Sequence, residues 1–150
     1  MKEKNEILLI RFNMILLMLV FTLIVLSCKR EFPEKEIINH FNKYDLLSRK
    51  LSKEGKIDSA LFYANELVNI ASIKNDSSLL SRAYYKKGLY HRKKRRVDSA
   101  YFYYKKSNEI NQKLKDSLKI VKRFFNIASL ESENELYLKS DSTAIEGLKY

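Results

Sequence analysis

Few side chains in this sequence could do covalent or acid–base chemistry: one cysteine, Cys28, and two histidines, His40 and His91. A catalytic centre needs a nucleophile beside a base, or a metal held by several ligands, at spacings one helix or loop can gather. His40 and His91 lie far apart in the chain, and no HExxH, paired CxxC, Gly-rich phosphate loop or GxSxG accompanies either. Both read as surface or groove residues. Glu131, Glu133 and Glu135 alternate, but that spacing spreads carboxylates around a helix end rather than onto one face, so they read as solvated acids. These residues predict no catalytic group, no metal site, no cofactor and no small-molecule substrate; the chain is not expected to be an enzyme.

What the chain has in quantity is positive charge, 29 Lys and Arg against 18 Asp and Glu for a net +11. Such a balance favours anionic partners, whether acidic protein segments, lipid head groups or nucleic acid, without choosing among them. The densest run is His91 followed by Arg92, Lys93, Lys94, Arg95 and Arg96. This basic patch has three readings: a solvated turn, a surface resting on anionic head groups, or a phosphate-binding run with nearby tyrosines for stacking. Compartment separates them, because an exported, tethered domain does not meet nucleic acid.

The N-terminus speaks for export. Met14 to Ser27 reads MILLMLVFTLIVLS without a charge, and Lys2, Lys4 and Arg11 precede it, the layout of a secretory signal. A spanning helix needs roughly 20 apolar residues, which here would have to include Arg11 and Asn13, so a single-pass signal anchor is the second choice. The run ends in Val25-Leu26-Ser27-Cys28, which resembles the lipobox of bacterial lipoproteins; Leu26 departs from the small residue usual at its position. The resemblance implies lipidation of Cys28 and a protein anchored in the bacterial cell envelope. Residues 1–27 are then signal or anchor and 28–34 a tether around Pro33, which disfavours helix in the residue before it.

The remainder repeats. Asp58-Ser59-Ala60 recurs as Asp98-Ser99-Ala100 and Asp76-Ser77 as Asp116-Ser117, each 40 residues on. The same shift aligns Tyr44, Tyr84 and Phe124; Ser48, Gly88 and Ala128; and Ala60, Ala100 and Ser140. An aromatic residue, a small residue four later and another small residue at the start of the next helix let two helices approach closely, as an antiparallel pair. Helices are expected near Glu36–Lys53, Asp58–Ile73, Ser77–Arg92, Asp98–Lys113, Ser117–Ser132 and Leu138–Tyr150, with Asp58, Asp76, Asp98 and Asp116 capping four starts. Gly55 and Asn75-Asp76 mark turns.

Within Tyr84 to Ser107, the order aromatic, Gly88, Ala100, Tyr104 and Ser107 resembles the tetratricopeptide repeat, and the likeness extends over residues 35–150. The unit is longer than that family's usual one, and Lys87, His91 and Gln112 stand where Leu, Tyr and Pro are common. The resemblance implies an all-α, right-handed solenoid of about three helix pairs, near residues 41–74, 81–114 and 121–150. The sixth helix runs almost to the chain end with no polar capping helix after it, so the sequence reads as a fragment of a longer regulator.

In that family the first helix of each pair lines a concave groove. Carried over, its positions are Asn42, Asp45, Arg49 and Ser52; Arg82, Tyr85, Leu89 and Arg92; and Lys122, Phe125, Ser129 and Ser132. Arg49, Arg82, Arg92 and Lys122 around Tyr85, Leu89 and Phe125 suit a protein or peptide ligand of acidic character. The alternative is that Tyr85 and Phe125 pack between repeats while the bases are solvated. The expected function is a membrane-tethered protein-interaction scaffold, the sensory input part of a signalling protein, with a structural envelope lipoprotein as the alternative. A nucleic-acid-binding helical domain is the distant one, reserved for a chain that is not exported.

Overall fold

The computed structural model describes residues 11–20, 22 and 34–150. Cys28 and the lipobox residues before it, and most of the tether, lie outside the described residues. Residues 11–20 form a helix, α1, whose apolar side chains from Phe12 to Val20 are exposed. Among the described residues no helix is long and apolar enough to cross a membrane.

The second unit, Glu34–Tyr150, is all-helical. It comprises α2 (Glu34–Lys53), α3 (Ile57–Ile73), α4 (Ser77–Lys93), α5 (Val97–Lys113), α6 (Ser117–Glu133) and α7 (Tyr137–Gly147), and each helix packs against the next in sequence. No strand occurs among the described residues. The period survives into the backbone: α3, α5 and α7 start 40 residues apart, and so do α4 and α6.

The turns explain the regularity. Gly55, Asn75, Arg95, Lys115 and Glu135 all have positive φ, one in each turn and 20 residues apart. The residue after each donates its N–H to the carbonyl five back: Lys56 to Leu51, Asp76 to Ala71, Arg96 to His91, Asp116 to Asn111 and Leu136 to Glu131, all at 2.9–3.0 Å. This is the Schellman closure, which reverses the chain in two residues and leaves the helices antiparallel. The expected caps divide. Asp76 and Asp116 accept backbone hydrogen bonds from Leu79 and Lys119 at 3.0 Å, whereas α3 and α5 begin one residue before Asp58 and Asp98 and have no side-chain cap. Those two aspartates instead sit in the first turn, where the helix dipole favours a negative charge.

Small residues on the second helices make close packing possible. Ala60, Ala64, Ala71 and Ala100 are fully buried, as are Leu67 and Tyr104. One cluster joins Phe41, Leu67, Ala71 and Ala83; another joins Ala60, Ala64 and Tyr90; a third joins Ala100, Tyr104, Ile127 and Leu130. Each cluster draws on helices that follow one another in the chain, so apolar burial, the main favourable contribution to folding, also fixes their order.

Candidate functional site

Helices α2, α4 and α6 are in side-chain contact along one flank, and the expected groove residues fall on them. At the α2–α4 junction the centre is Asp45, which is fully buried. Arg82 binds its Oδ2, Arg49 Nη2 lies 3.0 Å from the same oxygen, and Lys86 Nζ lies 3.2 Å from Oδ1. The Arg82 guanidinium also stands 5.5 Å from the centre of the Phe41 ring. Three cations thus surround one carboxylate, and the cluster carries an excess of two positive charges. Burial pulls the buried Lys86 ammonium below the usual lysine range, and the neighbouring Asp45 opposes that shift. The side chains of Arg49 and Arg82 remain 51% and 42% exposed, so both still offer donors to solvent.

At the α4–α6 junction the chemistry differs. Arg123, buried on α6, lays its guanidinium 3.5 Å from the centre of the Tyr85 ring, and Tyr85 stacks on Tyr104 at 6.0 Å. Desolvation lowers the Arg123 pKa from its usual value while Tyr85 opposes the shift. Arg92 forms an ion pair with Glu133 and donates to Ser129 Oγ at 3.2 Å. The hydrogen bond from Arg92 holds the Glu133 carboxyl below the usual range.

The groove residues therefore occupy distinct situations. Arg49 and Arg82 converge on Asp45; Tyr85 is sandwiched between repeats; Arg92 is engaged by α6; and Leu89 packs against the Ala60, Ala64 and Tyr90 cluster. Lys122 and Phe125 are exposed on α6. Of the central residues, the groove reading names Asp45 but not Lys86 or Arg123. The i,i+4 spacing of Asp45 and Arg49 hints at their pair, but nothing local links Lys86 or Arg123 to a partner on another helix.

The basic patch is likewise divided. Arg92 pairs with Glu133, Lys93 Nζ donates to Ser52 Oγ at 2.7 Å, and Lys94 pairs with Asp58, while Arg95 and Arg96 are exposed in the turn. His91 is buried and stacks on Tyr103 at 5.3 Å, and burial, with Lys87 next in weight, depresses its pKa. Of the three alternating glutamates, Glu131 is buried with Lys139 Nζ 3.2 Å away, Glu133 serves Arg92, and Glu135 is the exposed turn residue. Among the described residues no three His, Cys, Asp or Glu side chains gather as a metal site would require.

No family model matches the chain, and no curated protein matches it. The crystal structure of BtubC (BKLC) from P. vanneervenii is similar, with a TM-score of 0.61 at 15% identity over 71% of this chain and 44% of that one. The chain thus spans less than half the length of that protein. At such identity the likeness is one of fold, and with the geometry above it defines an all-helical, repeat-like bundle.

Proposed function

We propose that this chain is a membrane-tethered interaction scaffold of the tetratricopeptide type, a right-handed solenoid of about three helix pairs that holds an acidic peptide or protein segment in its concave cleft. The observation that carries the reading is the charge imbalance at Asp45, where Arg49, Arg82 and Lys86 share one carboxylate and two of the cations stay open to solvent. A carboxylate on a ligand would complete that set, and charge-assisted hydrogen bonds to guanidinium are among the stronger polar contacts. Exposed Phe125 and Lys122 on α6 supply an apolar anchor and a further base. The 40-residue spacing of helix starts and turns supports the repeat type. The tether is the N-terminal segment, through acylation of Cys28 at the bacterial cell envelope or, as the second choice, through a single-pass anchor. The module acts as the input of a signalling system, with recognition rather than catalysis as its work.

Fluorescence anisotropy of acidic peptides against the full chain in detergent tests the cleft. Replacing Arg49 and Arg82 together by alanine should weaken binding by about tenfold or more, since each charged hydrogen bond contributes about 1.5–3 kcal/mol. Affinity unchanged by the double substitution, or indifferent to added salt, would remove the cleft from the function. Labelling with palmitate should depend on Cys28 and vanish in Cys28→Ala; label that persists would dismiss the lipid anchor.

A further inference from the structure

The period makes α5 and α7 directly comparable in how each meets the helix before it. Tyr103 of α5 lies against α4: its ring stacks on Tyr84 at 6.0 Å and on His91 at 5.3 Å, and the Lys87 ammonium sits 4.3 Å from its centre. Forty residues on, Thr143 of α7 stands in the place of Tyr103, with Phe124 for Tyr84 and Ile127 for Lys87. The phenol ring is gone, and Thr143, Phe124 and Ile127 line a cavity of about 250 Å³ between α5, α6 and α7. Its floor is Phe124, Ile127 and Asn108, all buried.

Asn108 also departs from its counterpart. Val68 packs as an apolar residue against the Phe41, Leu67 and Ala83 cluster, whereas Asn108 is 5% exposed and its Oδ1 accepts no hydrogen bond. An amide buried without a partner is costly, so this position gains from a donor brought into the cavity. At the mouth Glu109 and Glu146 are exposed, and no ion pair engages either carboxylate among the described residues. The neighbouring Lys105 ammonium lies 5.8 Å from the centre of the Tyr101 ring rather than against a carboxylate.

We infer that this cavity binds a small amine that carries an aromatic ring. The ring takes the space that Tyr103 fills in the preceding pair, against Phe124 and Ile127, and the ammonium donates to Glu109, Glu146 and the Asn108 amide. Acceptors at the mouth and in the floor select a cationic donor, and an aromatic body buries its faces on the apolar part of the floor. No residue of the cavity belongs to the proposed peptide cleft, so the site stands without that reading. Peptide binding should survive changes in the cavity, and amine binding should survive replacement of Arg49 and Arg82.

Isothermal titration calorimetry of phenethylamine into the full chain in detergent, at neutral pH where the amine is protonated and against a detergent blank, tests the site. One saturable site per chain is expected. Phenylacetate, the same ring with the opposite charge, should bind at least about tenfold more weakly, and Glu109→Gln with Glu146→Gln should weaken the amine by a similar factor. Thr143→Tyr restores the side chain of the preceding pair and should abolish binding while circular dichroism keeps its helical signal. If that variant unfolds, Asn108→Val, which installs the counterpart residue, takes its place and should weaken binding at least about tenfold. No saturable heat at millimolar amine, or equal affinity for phenylacetate, would overturn the inference. So would binding untouched by Thr143→Tyr or, in its place, by Asn108→Val.

Discussion

Gly88 is the residue on which the second helix pair closes. A Cβ there would stand 2.5 Å from Cδ1 and 2.7 Å from Cε1 of Tyr104, and 3.2 Å from the carbonyl of Ala100. Helix propensity alone would make alanine about 1 kcal/mol better than glycine. Tyr104 is fully buried and stacked on Tyr85, so it cannot swing aside, and overpacking costs about 1–3 kcal/mol. Gly88→Ala should therefore lower stability by up to about 2 kcal/mol in urea unfolding, and pairing it with Tyr104→Leu should recover most of the clash; a stabilised single variant would contradict the packing. His91 gives a second test. Its folded pKa lies below the ordinary value of about 6.5, so the unfolded chain binds the proton more readily and stability falls as pH drops from about 6.5 toward the folded value. His91→Gln should flatten that part of the stability–pH curve, seen by thermal melts from pH 7 to 5. The small-residue alignment makes the Gly88 contact legible in the sequence. The Arg123–Tyr85 contact is not, because a lone base on a helix reads as solvated until the position of the next helix is known.

The turns carry the period at the scale of elements, and only one of the five uses the residue that its backbone prefers. Gly55 sits at positive φ with open space around it, whereas Asn75, Arg95, Lys115 and Glu135 pay a left-handed penalty of about 1 kcal/mol each for carrying a side chain, least for asparagine. Arg95→Gly and Lys115→Gly should each stabilise the fold by about 0.5–1 kcal/mol, and Gly55→Ala should cost about 1 kcal/mol, all read as shifts in unfolding midpoint. The aspartates make a matched comparison. Asp76→Ala should cost about 1 kcal/mol, because its carboxylate accepts the Leu79 amide, while Asp98→Ala should cost a few tenths. The Leu79 hydrogen bond holds the Asp76 pKa below the usual range, so the cap's contribution is complete above the ordinary carboxylate pKa and disappears as pH falls through the lower folded value. Helix identity and order were readable because the aspartates mark four of the starts to within about one residue and the period carries α7 with them. The positions of Asp58 and Asp98 one residue inside their helices were not, because a first-turn aspartate and a capping one look alike in sequence. Nor was the conversion of Arg95 and Lys115 into turn residues, since neither type favours positive φ and only the recurring closure of the chain imposes it.

At the scale of the unit Glu34–Tyr150, the α2–α4 and α4–α6 junctions are each held by their own side chains, and these differ. The first junction is ionic around Asp45, while the second sets Arg123 on Tyr85 and Arg92 on Glu133. Period and composition therefore disclose the order of the helices but not what joins them, because the residue types change from one junction to the next while the spacing of the helices does not. In a chain of nearest-neighbour contacts, damage at one junction should stay there. Asp45→Ala leaves the buried Lys86 facing Arg49 and Arg82 without a carboxylate, and breaking a buried pair costs about 3–5 kcal/mol, reduced here because both guanidiniums are partly solvated. A loss of about 2–3 kcal/mol is expected at the α2–α4 junction. Amide hydrogen exchange should then accelerate by about thirtyfold to a hundredfold in α2 and α3, through local opening, while α6 and α7 keep the protection they have in the unaltered chain. Equal acceleration in every helix would mean that the six helices open as one cooperative core, and the picture of independently joined pairs would have to be given up.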